Sequence, residues 1–385
     1  MHILEIPSFF TPYGGEFCLE QAKALKALGH EVRILSNVQL GITIGGKDFL
    51  VLPSCRFEHE RDGITIYQSY QRGLPRMVHH NVMRWVDIVC SMFTEYVAKY
   101  GKPDILHAHC AKWAGYAAMQ IRKQYDIPYV ITEHLPKDIF KLELGEAPTT
   151  AWQVPLLKET YHQADMVITV SEELVDDLAC YFGRDYRYVA IPNMIDTRFY
   201  SFSQRKPVID RAFSFCCPAI FNHRKGYDVL FEALAQLTET EPNVVLHIAG
   251  MGTDSKACRQ MIKRYGVQDK VICHGRIDAN EMRALYDQSD ALVMASRSEA
   301  QPLVLLEAMS TGIPVIATTC VPKSVRIEGG CTVVPVDNAE ALCVAMKQVM
   351  ACEFDGKTVS DAVKRMSAPQ VVAQKLENLF NRIIA

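Results

Sequence analysis

The stretch Ala291–Thr318, ALVMASRSEAQPLVLLEAMSTGIPVIAT, limits the fold more than any other part of the chain. Ala291–Ala295 is a short apolar run that predicts a buried strand. After the polar Ser296-Arg297-Ser298-Glu299, Pro302 predicts the first position of a helix, because its fixed φ suits that site and it has no N–H to waste. Gly312 predicts the end of that helix, and Pro314-Val315-Ile316-Ala317 a second buried strand. Such a unit requires parallel strands joined by a right-handed crossover, and so an α/β fold.

The same stretch carries acidic groups where a helix begins. The first-turn N–H groups around Leu303 and Val304 form an anion site that suits a phosphate. Glu299, just before the helix, and Glu307, eight residues on, would repel a phosphate and suit hydroxyls on either side of one. A ribose diol and a sugar ring flanking a diphosphate satisfy that pattern. An ordinary helix with one capping and one solvated Glu satisfies it too.

A length of 385 residues predicts two domains rather than one, each large enough for its own core. The balance of 49% apolar and 22% charged residues is that of a globular protein, and a net charge of −3 gives no support for nucleic-acid binding. No apolar run reaches the roughly 18 to 20 residues of a membrane span. The opening MHILEIPSFF reads as a strand rather than a signal peptide. Thirteen scattered cysteines without a C-x-x-C pair read as small apolar residues of a reduced, cytoplasmic protein, and a zinc site is not expected.

In the first half, residues 2–6 predict a strand, followed by a loop with Pro12-Tyr13-Gly14-Gly15 and a helix from Glu16 to Leu28. Adjacent glycines there form a turn, and they also let backbone N–H groups approach a ligand. Val32–Leu35 predicts the next strand, and residues 40–70 read as irregular loops with a strand near Ile64–Tyr67. Residues 74–100 read as a core helix. Arg72, Arg76, Arg84 and His79-His80 beside Met77, Met83 and Trp85 leave an anionic membrane surface as the alternative.

Pro103–His109 is a strand that ends where open α/β sheets place ligands. His107 and His109 have no carboxylate at matching sequence spacing for a metal. Tyr129–Thr132 delivers Glu133-His134 to the same edge, and Ser171 is positioned to cap the helix that follows its strand. SFSQRKPVID, residues 201–210, fits a linker. Arg224-Lys225 at a helix start places cations at the positive end of the helix dipole, a conflict that a bound anion resolves and solvent exposure also relieves.

The pattern S-x-S-E-x7-E-A-M-x-x-G-x-P-V-I-A-T closely resembles the signature of the retaining, nucleotide-sugar-dependent glycosyltransferases of GT-B fold known as glycosyltransferase family 4. P-x-G-G-E, PDILHAH, the I-P-N-M-I-D segment at 191–196, K-G-Y-D at 225–228 and I-A-G-M-G at 248–252 resemble further motifs of that family. The resemblance runs from Pro7 to about Met350. It departs at Ala300-Gln301-Pro302, where the family has Gly-Phe-Gly, at Met194 for a Gly, and near Ala219–Ile220, where the family often has an Arg.

This resemblance implies a GT-B fold of two doubly wound Rossmann-like domains facing across a cleft. They would be an acceptor-side domain over 1–200 and a nucleotide-sugar domain over 201–365, with a helix at 366–385 returning to the first. It implies His109, Glu299 and Lys225 at the reacting sugar and diphosphate. Glu307, Arg224, Gly250, Gly252, Gly275, Arg276, Gln301, Leu303 and Val304 would line the donor, and Gly14, Gly15 and His134 the acceptor side. The expected activity is retaining hexosyl transfer from a nucleotide-diphosphate sugar, with UDP foremost, to a saccharide, lipid-linked or small-molecule hydroxyl. A role in cell-surface polysaccharide or glycoconjugate synthesis follows, with no metal or other cofactor. A nucleotide-sugar 2-epimerase and a non-catalytic nucleotide-sugar-binding subunit remain as alternatives.

Overall fold

The computed structural model describes residues 1–11, 14–41, 48–52, 54–144, 148–204 and 210–385. Pro12-Tyr13 and the linker's Pro207 lie outside them. The chain divides into two compact units, Met1–Met194 with Pro369–Ala385, and Ile195–Ala368.

In the first unit, eight strands form one sheet. They are β1 (His2–Pro7), β2 (Glu31–Leu40), β3 (Arg56–Arg61), β4 (Ile64–Arg72), β5 (Ile105–His109), β6 (Tyr129–Glu133), β7 (Met166–Thr169) and β8 (Tyr188–Ala190). Their order is β3-β4-β2-β1-β5-β6-β7-β8, parallel except for the β3–β4 hairpin. β1, β5 and β6 are buried almost throughout, as expected of central parallel strands covered on both faces. Helix Pro369–Ile384 belongs to this unit, where Val372, Leu376 and Phe380 share a core cluster with Leu19, Ala22 and Leu25 of helix Glu16–Ala27.

The hairpin corrects the reading of residues 40–70 as mostly loops. Asp62-Gly63, both at positive φ (51° and 77°), make the tight turn between β3 and β4. Asp-Gly between alternating residues is a strong hairpin signal, and the burial of β4 does alternate. Helix Val78–Tyr100 buries Val82, Trp85, Val86, Val89 and Met92, so its apolar residues are core, and the Trp85 indole donates to the Asn37 carbonyl (2.7 Å). Arg72 is used internally, donating to the carbonyls of Phe49 and Leu52 (2.7 Å each). Ser171 does not cap helix Glu173–Phe182, whose N-cap residue is Glu172 and makes no side-chain bond.

The second unit holds a wholly parallel six-stranded sheet. Its strands are β9 (Phe213–Pro218), β10 (Val244–Ala249), β11 (Val271–Gly275), β12 (Ala291–Met294), β13 (Val315–Thr318) and β14 (Cys331–Val334), in the order β11-β10-β9-β12-β13-β14. Successive residues of β12 go to opposite cores. Ala291 and Val293 join one cluster, and Leu292 and Met294 the other. The predicted strand–helix–strand unit is present, with β12 and β13 paired in parallel. Pro302 lies one position earlier than predicted, as the extended N-cap (φ −75°, ψ 106°) of helix Leu303–Thr311, and Gly312 ends that helix at φ 91°. Among the described residues, no helix is long and apolar enough to cross a membrane.

Candidate functional site

In the second unit, the expected donor residues meet at the carboxyl ends of the strands, where an open parallel sheet binds ligands. After β9, Asn222 caps a single turn, His223–Lys225, and Gly226 follows at φ 64°. A Cβ on Gly226 would stand 2.0 Å from the Ala295 carbonyl oxygen, so only glycine lets this turn lie against the end of β12. Arg297 fastens the same contact. Its guanidinium donates to both carboxylate oxygens of Asp228 (3.0 and 2.7 Å), to the His223 carbonyl (2.6 Å) and to Asp337 (2.6 Å). Sequence reasoning assigned no role to Arg297 or Asp228, although the Asp of K-G-Y-D and the Arg before Ser298-Glu299 lie in the two motifs that this bond joins.

The consequence is a cluster of charge. Lys225 Nζ lies 2.5 Å from Glu299 Oε1, and Arg224 Nη1 lies 3.3 Å from Oε2 and 3.0 Å from the Ser298 carbonyl. The Glu299 carboxylate is 6% exposed, so this is a largely desolvated arrangement of two cations about one anion. Arg224 therefore reaches the same point as Lys225. The helix after Glu299 begins at Leu303, and the N–H groups of Leu303 and Val304 have no acceptor within that helix. Gln301 is buried beside Pro302.

Glu307 lies one turn into the helix and accepts a hydrogen bond from the Tyr286 hydroxyl (2.8 Å). Burial pushes its carboxyl up to about 7, against the opposing effect of that hydrogen bond. Tyr286 is a supporting residue with no local sequence signal.

The glycines sit at the ends of β10 and β11. A Cβ on Gly250 would lie 2.4 Å from the Ala219 carbonyl oxygen, and one on Gly275 would lie 3.1 Å from the Asp254 carboxylate. Gly250 N–H donates to the Gly275 carbonyl (2.7 Å), Gly275 N–H to Thr253 Oγ1 (3.1 Å), and Gly252 holds φ 84°. Arg276 follows, exposed.

The first unit brings its expected residues together in a second cluster. Register places Glu5 of β1 opposite His107, and Pro7 opposite His109, so Glu5 and both histidines share one face. Glu5 Oε2 lies 2.7 Å from His109 Nε2 and 2.9 Å from His107 Nδ1. No carboxylate lies at matching spacing along the sequence, and the partner comes instead from a neighbouring strand. Among the described residues this is the group whose ligand atoms converge, all within 4.8 Å, as a metal would require. Here they are closed on one another at hydrogen-bonding distance. Burial works to raise the Glu5 carboxyl, but the two imidazoles outweigh it and hold it at about 2.

His109 is 1% exposed, and both of its ring nitrogens are engaged, Nε2 by Glu5 and Nδ1 by His134 Nε2 (3.1 Å). Burial, aided by neighbouring His107, lowers it to about 4, so it is neutral at physiological pH. His134 is half-buried and stacks on Phe17 (ring centroids 3.8 Å apart). Phe17 packs edge-on against Phe9, and a Cβ on Gly14 would touch the Phe9 ring at 3.3 Å. A Cβ on Gly15 (φ 81°) would fall 2.2 Å from the Phe9 carbonyl oxygen. Gly14, Gly15 and His134 are therefore joined through two phenylalanines. Glu133 is structural. It is fully buried and accepts from the N–H groups of Ala111, His134 and Leu135 and from the Tyr161 hydroxyl.

Two Rossmann-like units with parallel sheets, one carrying an E-x7-E helix beside a K-G-x-D turn, define a glycosyltransferase of GT-B type. Residues 14–199 match the model described as Glycosyltransferase Family 4, and residues 202–366 the model described as Glycosyl transferases group 1. The chain belongs to that family.

Among its relatives, the glycogen synthase of Mycobacterium tuberculosis (strain H37Rv) is 25% identical over 380 residues, covering 89% of this chain and 87% of that one. The D-inositol 3-phosphate glycosyltransferase of Arthrobacter sp. (strain FB24) is 26% identical over 339 residues, covering 83% and 77%. Among solved structures, the sucrose-phosphate synthase of Thermosynechococcus elongatus superposes with a TM-score of 0.80 at 20% identity, covering 100% and 99% of the two chains. The Anabaena protein HepE, solved with UDP and glucose, superposes with a TM-score of 0.73 at 17% identity, covering 99% and 100%.

Proposed function

We propose that this glycosyltransferase moves a hexose from a nucleotide-diphosphate sugar, a UDP-sugar first, to a hydroxyl acceptor with retention of configuration. The observation that carries this reading is the convergence of Lys225, Arg224 and Glu299 just before helix Leu303–Thr311, with Glu307 eight residues beyond Glu299. Two cations and a helix N-terminus suit a diphosphate. The carboxylates beside it suit hydroxyls, Glu307 those of the ribose and Glu299 those of the sugar.

The chemistry then rests on the leaving group. Lys225, Arg224 and the N–H groups of Leu303 and Val304 neutralise the negative charge that develops on the departing diphosphate, which supplies the charge stabilisation usually worth most in such a step. Since no carboxylate among the described residues is assigned the part of a covalent nucleophile, the acceptor oxygen attacks on the face that the diphosphate leaves. His109 and His134 belong to the sugar and acceptor side. The backbone around Gly250, Gly252, Gly275 and Arg276 serves the nucleotide. An activity that survives chelation of divalent cations supports this assignment, and an activity that chelation abolishes replaces it with metal-assisted departure.

The acceptor belongs to a cell-surface polysaccharide or glycoconjugate, and a lipid-linked acceptor would bring the enzyme to the cytoplasmic face of a membrane. Support for such contact comes from the surface. Leu50, Val51, Leu74, Met77 and Val78 are all exposed, and the last three lie next to the exposed Arg76, His79 and His80 along the chain.

The test is a thermal shift with UDP, GDP, ADP and their sugar conjugates on the wild type and on Glu307→Ala. A native-state ligand raises the midpoint by mass action. One nucleotide should stabilise the wild type and not the variant, and no response to any nucleotide at millimolar concentration defeats the donor site. A product scan then separates transfer to an acceptor from 2-epimerisation of the donor sugar and from binding without turnover.

A further inference from the structure

The second unit carries a surface pair of histidines outside the donor cluster. His247 of β10 and His274 of β11 are 27 residues apart in sequence, yet His247 Nδ1 lies 2.9 Å from His274 Nε2. The ring centres are 5.2 Å apart and the planes inclined by 20°, so the rings lie end to end with these two nitrogens between them.

An irregularity in the sheet brings them together. β10 and β11 keep register through His247–Ile272 and Ile248–Cys273, but Ala249 then pairs with Gly275, which leaves His274 as an extra residue. Bulges re-aim side chains and favour sheet edges, and β11 is an edge strand. Leu246, Ile248 and Cys273 face the other way and pack into the core around Phe215. His247 and His274 are left on the open face with Ile272, which is 44% exposed. His247 is half-buried and His274 exposed, so solvent reaches the pair.

Burial, aided by neighbouring His274, lowers the pKa of His247, so that ring is neutral at physiological pH. One proton lies between the two nitrogens. When it passes to the outer nitrogen of its own ring, both inner nitrogens become bare acceptors with no change of charge.

We propose that His247 Nδ1 and His274 Nε2 chelate one divalent transition-metal ion, zinc foremost, with water in the remaining positions. Imidazole suits zinc and nickel, whereas magnesium and calcium favour oxygen. A tetrahedral ion with metal–nitrogen bonds of about 2.0–2.1 Å holds two such nitrogens about 3.3 Å apart, so the pair opens by only a few tenths of an ångström. What is given up is one exposed hydrogen bond, a weak competitor for two metal–nitrogen bonds. The bound ion ties edge strand β11 to β10. Cysteine spacing argued against zinc, but it could not register a site built across two strands. The site stands independently of the sugar-transfer reading, and the ion has no part in the departure of the diphosphate.

Zinc titration of the untagged, chelator-stripped chain tests this without any substrate. Calorimetry should find one strong site per chain, and nitrogen NMR should show one inner nitrogen on each of the two rings shifting together as it fills. His247→Ala and His274→Ala should each weaken that site at least about tenfold. His80→Ala, which removes an exposed histidine of the first unit, should leave it unchanged. Zinc should raise the melting midpoint of the wild type by mass action and not that of either site variant.

A wild-type titration in which only one of the two rings shifts, or neither, overturns the proposal even where a variant fails to fold. Zinc binding that neither site variant weakens overturns it as well, as does binding that His80→Ala weakens equally. A wild-type midpoint that zinc leaves unchanged overturns the tie between the strands.

Discussion

Lys225 Nζ and Glu299 Oε1 lie 2.5 Å apart across 74 residues of sequence, and the pair is nearly sealed from solvent. On the proposed assignment these are the cations that a diphosphate would use, so donor binding would exchange one anion for another at Lys225 and Arg224 and release Glu299 to the sugar.

Glu299→Gln tests that exchange. With the competing charge removed, UDP should bind about three- to tenfold more tightly while sugar transfer falls by at least about a hundredfold. Calorimetry with UDP alone and a turnover assay on the same preparation read the two effects. Weaker UDP binding would show that Glu299 holds the cations in place rather than competing for them.

Lys225→Ala should act in the opposite sense. Losing a charge-assisted bond to the diphosphate costs about 2 kcal/mol, roughly thirtyfold in affinity. Titration with UDP and with uridine separates the phosphate contribution, since uridine binding should be unchanged.

Nucleotide binding should depend on pH through Glu307. Its folded carboxyl is raised to about 7 against an ordinary value of 4.5. Between those values the folded protein keeps a proton that the unfolded chain has released, so this group's contribution to stability declines as pH rises through that window. Ribose hydroxyls need the carboxylate as acceptor, so nucleotide affinity should rise with pH through about 7. In Glu307→Gln that pH dependence should disappear, and a persisting profile would assign it to another group.

Gly226→Ala is expected to lose function through the backbone. The added methyl must fit at φ 64° and 2.0 Å from the Ala295 carbonyl oxygen, which forces the His223–Lys225 turn away from β12. The left-handed conformation alone costs about 1–2 kcal/mol. A lower melting midpoint together with a raised KM for donor is the expected result. A changed midpoint with unchanged KM would place Lys225 independently of this turn.

Arg297→Lys probes the brace between the two motifs. Lysine keeps the charge but cannot reproduce the paired bonds to Asp228 together with the bonds to Asp337 and the His223 carbonyl. Stability should fall by about 1–2 kcal/mol, read by chemical unfolding, with weaker UDP binding alongside.

Much of this was legible along the chain. The strand–helix–strand unit at 291–318, the paired carboxylates eight apart and the turn at Lys225 follow from periodicity and from Gly and Pro placement, which act over a few residues. Where a local signal was overlooked, as with Asp62-Gly63, the hairpin obeyed it all the same. The Pro302 and Ser171 readings missed for another reason. Which residue caps a helix depends on the direction from which the chain enters it, and one residue of shift is enough to change the capping residue.

Other relationships have no local signature. Glu5 meets His109 across 104 residues, and Arg297 meets Asp228 across 69. Both pairings arise from how parallel strands are ordered and registered in their sheets. That register comes from burying two faces at once, a property of the assembled core and not of any single segment. Along the chain, the motifs resembled those of a glycosyltransferase family. Packing chose which cation faces which carboxylate, and brought Glu5 to the two histidines of a neighbouring strand.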